Sequence, residues 1–95
     1  MASAVKSQAA DLRAKSYFEL LGLPAMDSRR VEMSGKIVTF TVFRVIQSQH
    51  QLLVVVQALR DRLAGLSTEV YVSGFVASAN GELVDATETL LWDYS

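Results

Sequence analysis

The spacing of apolar positions along this 95-residue chain changes period once, near its only proline. Residues 3–21 place Val5, Ala9, Leu12 and Leu20 on one helical stripe, with Ser16 between them; Tyr17, Phe18 and Leu21 widen the apolar surface toward the end. One helix is predicted there, with Ser3 or Ser7 as its N-cap. Its stop signal is Gly22-Leu23-Pro24: Gly22 is expected at positive φ, Leu23 folds back onto the last turn, and Pro24 cannot continue the helix. Beyond it the period becomes that of strands. Residues 29–33 read as a short strand, Ser34-Gly35 as a tight turn, and 36–47 (KIVTFTVFRVIQ) as a long strand of β-branched and aromatic side chains. A polar turn at 48–51 leads into the strand 51–59, and RDRLAGLS, with Gly65, is a looser connection to the strand 68–78. Asn80-Gly81 is the strongest hairpin signal, a two-residue tip leading into ELVDA, while TETLLWDY fits a helical turn or two, or an extended tail. The predicted fold is α+β: residues 1–95 form a single two-layer domain, an N-terminal helix packed on a four- to five-stranded antiparallel meander sheet.

The strands pose a covering problem. In QLLVVVQAL (51–59), Leu52, Val54, Val56 and Ala58 share one face, and Leu53, Val55 and Leu59 the other. The long strand before it sets Val38, Phe40, Val42 and Ile46 against Ile37, Thr39, Thr41, Phe43 and Val45; the strand after it sets Val70, Val72 and Val76 against Tyr71 and Phe75. A sheet with one wet face would alternate apolar and polar. A helix of 19 residues, roughly 28 Å by 10 Å, shields one face of a small sheet and not two. Leaving about 500 Å² of apolar surface wet forgoes on the order of 12 kcal/mol, comparable to the whole stability of a domain. Three covers are available: the C-terminal LLWDY segment, a second copy of the chain, or a ligand or different protein.

Composition narrows the functional classes. Nine basic and ten acidic residues give a net charge of −1, which makes no electrostatic case for nucleic acid or an anionic membrane. Glu82, Asp85, Glu88 and Asp93 fall in a C-terminal segment without Lys or Arg. No apolar run approaches a membrane span, the first sixteen residues lack the apolar core of a secretory signal, and the absence of cysteine removes disulfides and thiolate metal sites. A cytoplasmic setting is expected.

Catalytic signals are sparse. His50, the only histidine, lies near Ser48 with Asp61 downstream, yet no nucleophile elbow presents the serine, and His50 reads as an exposed turn residue. One His without Cys gives no metal-ligand set, and the isolated glycines form no phosphate cradle, so no cofactor is expected. Gly74 interrupts a strand and signals a bulge or a close packing contact. Arg44 falls on an otherwise apolar face, so it must reach the rim, a bulge or an acceptor, or contact a ligand.

These readings converge on a non-enzymatic interaction module, a homodimer formed through an apolar sheet face, with an unidentified protein as a further possible partner. Its expected interface residues are Leu53, Val55, Leu59, Phe43, Tyr71, Phe75 and Trp92. A small-ligand-binding protein, with an apolar pocket between helix and sheet and polar contact from Arg44, Thr39 or Thr41, is the alternative; a small enzyme of unfamiliar type is the third class.

Overall fold

The computed structural model describes residues 2–33, 36–62 and 67–94. The expected turn at Ser34-Gly35 and Gly65 in the connection 63–66 lie outside the described residues. The element order is α1 (Ala2–Arg13), α2 (Tyr17–Leu21), β1 (Met26–Met33), β2 (Lys36–Ser48), β3 (Gln51–Arg62), β4 (Ser67–Ser78), β5 (Leu83–Asp85), α3 (Glu88–Leu91) and a 3-10 turn (Trp92–Tyr94). The five strands form one antiparallel sheet in the order β1-β2-β3-β4-β5, so every strand pairs with its neighbour in sequence. The fold is the α+β arrangement of an N-terminal helical layer on an open antiparallel sheet.

The single helix expected over 3–21 is two. Ser16 adopts an extended conformation and caps α2: its Oγ accepts the Glu19 N–H at 3.2 Å, and Glu19 Oε1 accepts the Ser16 N–H at 3.3 Å. This reciprocal capping box satisfies two donors that a continuous helix would have bonded internally. Neither Ser3 nor Ser7 is an N-cap, because α1 begins before both. The stop at Leu21 is where the sequence places it, but Gly22 is right-handed, with φ −79° and ψ −4°. Its N–H reaches the carbonyls of Phe18 and Glu19, each at 3.2 Å, so the helix closes with a tightened turn rather than a left-handed cap.

Register fixes the two faces. Val42 pairs with Val56 and Val56 with Ser73; Phe40 pairs with Ala58 and Ala58 with Tyr71; Val54 pairs with Phe75. This helix face carries two core clusters. Val5 and Ala9 of α1 pack on Val38, Phe40, Val56 and Ala58. Leu20 of α2 packs on Leu52, Val54, Phe75 and Ala77. The opposite face carries Phe43, Val55 and Gly74 in one row, and Thr41, Gln57 and Val72 in the next. Gln47 is extra in β2, where the register shifts between Ile46 and Ser48.

The final hairpin has a three-residue tip, Ala79-Asn80-Gly81, rather than two. Ser78 N–H bonds the Glu82 carbonyl at 2.9 Å, Gly81 N–H bonds the Ser78 carbonyl at 2.9 Å, and Gly81 sits at φ +90°. This is a turn closed by a left-handed glycine, the common three-residue solution. β5 then pairs over three residues, Phe75 with Asp85, Val76 with Val84 and Ala77 with Leu83.

Removing the cap of α2 tests the break. Ser16→Ala should lower stability by about 1 kcal/mol in urea denaturation, whereas a residue midway along a continuous exposed helix would gain slightly from alanine.

Candidate interaction surface

The C-terminal segment is seated on the face opposite the helices. Thr87 caps α3, its Oγ1 accepting the Leu90 N–H at 3.3 Å. The segment then crosses the sheet. Gln57 Nε2 donates to the Tyr94 carbonyl at 2.5 Å, and the Tyr94 ring lies 4.8 Å from Phe43, tilted by 52°. Gly74 makes the seat possible: a Cβ there would lie 2.9 Å from Leu91 Cδ2 and 2.8 Å from the Val54 carbonyl oxygen. The register of β4 is continuous through Gly74, so it is a packing notch and not a bulge. Beneath the segment Leu53, Val55 and Thr41 are buried, and Ser28 Oγ and Thr41 Oγ1 share a hydrogen bond at 2.9 Å.

This tail face is only half covered. Met26 pairs with Phe43, Ile37 with Glu32, Val70 with Leu59 and Val84 with Val76, so register places all four on the tail face, and all four stay exposed. Trp92, within the covering segment, is 77% exposed. A second group of exposed apolar side chains, Phe18, Leu21, Ile46 and Leu83, surrounds α2 on the helix face.

The residues singled out in the sequence separate accordingly. Leu53, Val55, Leu59 and Phe43 come together on the tail face, and Trp92 belongs to the C-terminal segment seated on that face. Tyr71 and Phe75 belong to the helix face: Phe75 is fully buried in the α2 cluster, with the Arg13 guanidinium 5.2 Å from its ring centroid, and Tyr71 packs against the α1 cluster. Parity within a strand could not join these sets; register does. Met26, Ile37, Val70 and Val84 are the exposed tail-face positions that the expected interface omitted. The alternation within each strand marks them as apolar, but their exposure follows from where the tail lies.

Arg44 is on the helix face, opposite Val54, and its Nη1 donates to the Leu21 carbonyl at 2.6 Å. It places a cation at the C-terminal end of α2, where unpaired carbonyls favour one. Thr39 and Thr41 lie on the tail face, so neither joins Arg44 in a pocket. Between α1 and β1–β2 there is instead a cavity of about 250 Å³ lined by Leu12, Phe40, Val42, Gln8, Asp11, Asp27 and Arg29. A second, of about 370 Å³, lies between α1 and β4, lined by Lys6, Ala9, Arg13, Ser73 and Leu91.

His50 is exposed in the β2–β3 turn; its backbone N–H bonds Ser48 Oγ at 3.4 Å and its carbonyl accepts from Ala79 N–H at 2.8 Å. The side chain of Asp61 lies outside those described. Among the described residues, no group of three or more acidic or histidine side chains could hold a metal ion. No protein-family model, curated protein or solved structure matches this chain.

Two substitutions probe this geometry. Gly74→Ala should destabilise by about 1–3 kcal/mol, the usual cost of overpacking, although glycine-to-alanine elsewhere in a strand tends to stabilise. In urea denaturation Gly74→Ala with Leu91→Ala should lose less than the two single losses summed, because one removes the atom the other meets. His50→Ala should leave stability within about ±0.5 kcal/mol in the same assay, as an exposed turn side chain does.

Proposed function

We propose that this chain is a non-enzymatic interaction module that pairs with a second copy of itself through the tail face. The observation that carries this reading is the set Met26, Ile37, Val70, Val84 and Trp92: large apolar side chains left exposed on one face after the chain's own segment has been seated. Large apolar side chains left exposed around one face of a small protein point to an interface there. Charge at the periphery favours a self-partner. Arg30 shares the face through its pairing with Thr39, while the covering segment contributes Glu88 and Asp93 and no base. A two-fold partner sets the acids of one copy against the β1 arginine of the other. The proposed setting is the cytoplasm; the chain has no cysteine, and no described helix is long and apolar enough to cross a membrane.

The cavity between α1 and β1–β2 supports a second reading, a site for a small amphiphile with an apolar body and a head group facing Asp11, Asp27 and Arg29. Its volume of about 250 Å³ lies below the ~300–1,000 Å³ typical of ligand pockets, so the exposed face carries more weight.

Sedimentation velocity tests the pairing. The wild-type chain should run above monomer mass at micromolar concentration, and Ile37→Asp or Met26→Asp should each remove an association step while still melting cooperatively, since both side chains are exposed. A wild-type monomer throughout, or masses indifferent to both substitutions, would sink the reading.

A further inference from the structure

The two edges of the sheet are built differently. β1 forms one edge and carries Asp27, Arg29, Arg30 and Glu32, charges that discourage another strand from adding to it. The other edge is shared. β5 pairs only with residues 75–77 of β4, and Ala86 N–H extends the ladder by bonding the Gly74 carbonyl at 3.0 Å. Residues 67–73 of β4, STEVYVS, therefore run past the end of β5 with no described strand on that side. This span holds no proline, lysine or bulge, and its one charged residue, Glu69, is bound to Arg60 and to the Tyr71 hydroxyl within the chain. It is rich in β-formers, and its own sequence lacks these devices that blunt an edge. α1 packs over it on the helix side, with Lys6, Ala10 and Arg13 near Ser73.

Backbone alternation specifies what fits. The Gly74 carbonyl and the Ser78 N–H both point toward β5. By the alternation of an antiparallel ladder, the N–H and C=O groups of Thr68, Val70 and Val72 point the same way, outward. The midpoint of the span 67–73 is Val70, itself an outward-pointing residue. A two-fold axis there pairs Val70 with Val70 of a second copy, Thr68 with Val72 and Val72 with Thr68, each a mutually hydrogen-bonded pair. The register that uses the whole span is thus also the one that aligns donors with acceptors. It runs from Ser67, where β4 begins, to Ser73, beside the Gly74 carbonyl that Ala86 occupies. We infer that the open edge of β4 is a second self-association surface, joining two copies edge to edge about Val70 into a continuous ten-stranded sheet. The inference goes beyond the tail-face reading and rests on the β4 backbone. The Val70 side chain lies on both surfaces, so recovery in the mixture and the Val70→Cys cross-link, rather than loss of mass alone, carry the test.

Charge reversal at the two-fold position tests it. In Val70→Lys or Val70→Glu alone, like charges face each other across the axis, and each variant should lose one association step, read as a halved mass in sedimentation velocity. A one-to-one mixture of the two should regain it, because Lys then faces Glu. Because the chain has no cysteine, Val70→Cys supplies a second, nearly isosteric probe: its thiol should give a covalent dimer with a short bis-maleimide, whether or not the charged variants fold. Failure of the mixture to recover mass, unchanged mass in both charged variants, or absence of the covalent dimer overturns the edge pairing. If Ile37→Asp still removes a step in that case, the tail-face reading survives alone. A wild-type monomer that gives no covalent dimer removes both, and leaves the edge to a strand from another protein.

Discussion

The structure depends on one constraint: β3 must be dry on both sides. Residues 52–56 are all buried, alternating between two faces, and β3 is the middle strand of five. A small antiparallel domain usually solves this by wetting one face. This chain cannot, because Leu53 and Val55 are as apolar as Leu52, Val54 and Val56. It uses its two ends as two covers. The N-terminal helices take one face and the C-terminal segment takes the other, so the sheet is closed by chain that folds back from both directions. Gln57 serves this scheme as the polar position of β3 that reaches the Tyr94 carbonyl and holds the second cover in place.

Length explains why the first cover is broken. Strands of 12 or 13 residues extend roughly 40 Å, whereas α1, with 12 residues, spans only about 18 Å. A straight helix crossing a twisted sheet loses contact toward its ends. Breaking the helical layer at Ser16 lets α2 set Leu20 onto Leu52, Val54, Phe75 and Ala77, while α1 sets Val5 and Ala9 onto the other cluster. Leu12 and Val42 touch both clusters and keep the core continuous across the break. Arg44 completes the arrangement by meeting the Leu21 carbonyl, which turns a charge on an apolar face into the partner of a helix end.

Much of this was legible in the sequence, and the misses have physical causes. Strand existence and order follow from β-branched runs separated by turn residues, signals local to each strand. The helix break was written in Ser16-Tyr17-Phe18-Glu19, a capping-box spacing that the longer apolar stripe outweighed. Gly22 can adopt a left-handed cap but is not obliged to, and the carbonyls it would have satisfied find Gly22 and Leu23 N–H in a tighter turn. Which apolar set lies on which face was not legible, because parity resets at every turn. A three-residue tip in place of two at Asn80-Gly81 changes that count by one. Gly74 in a strand allows a bulge or a close contact, and only the unbroken β3–β4 register, with Leu91 seated beside it, decides between them. The candidate interface suffered most from this: Tyr71 and Phe75 are apolar like their neighbours, and nothing within β4 alone tells them from Val70 and Val72.

The two covers are not equivalent, and the difference gives the surface its form. α3 and the 3-10 turn together comprise seven residues, about 12 Å of chain at helical rises. Five strands spaced ~4.8 Å apart make a face about 19 Å wide, twice as long as that in the strand direction. The segment therefore seals the centre, where Leu53 and Val55 lie, and leaves apolar positions on either side of it. Met26 and Ile37 remain toward β1, Val70 and Val84 toward β5, and Trp92 projects from the strap between them. Lengthening the cover would bury these positions; replacing them with polar residues would make the cover sufficient. Three of the chain's polar tail-face side chains, Ser28, Thr41 and Gln57, hydrogen-bond one another or the strap. Thr41 and Gln57 thus make their hydrogen bonds near the centre of the face, and Met26, Ile37, Val70 and Val84 are left wet around it.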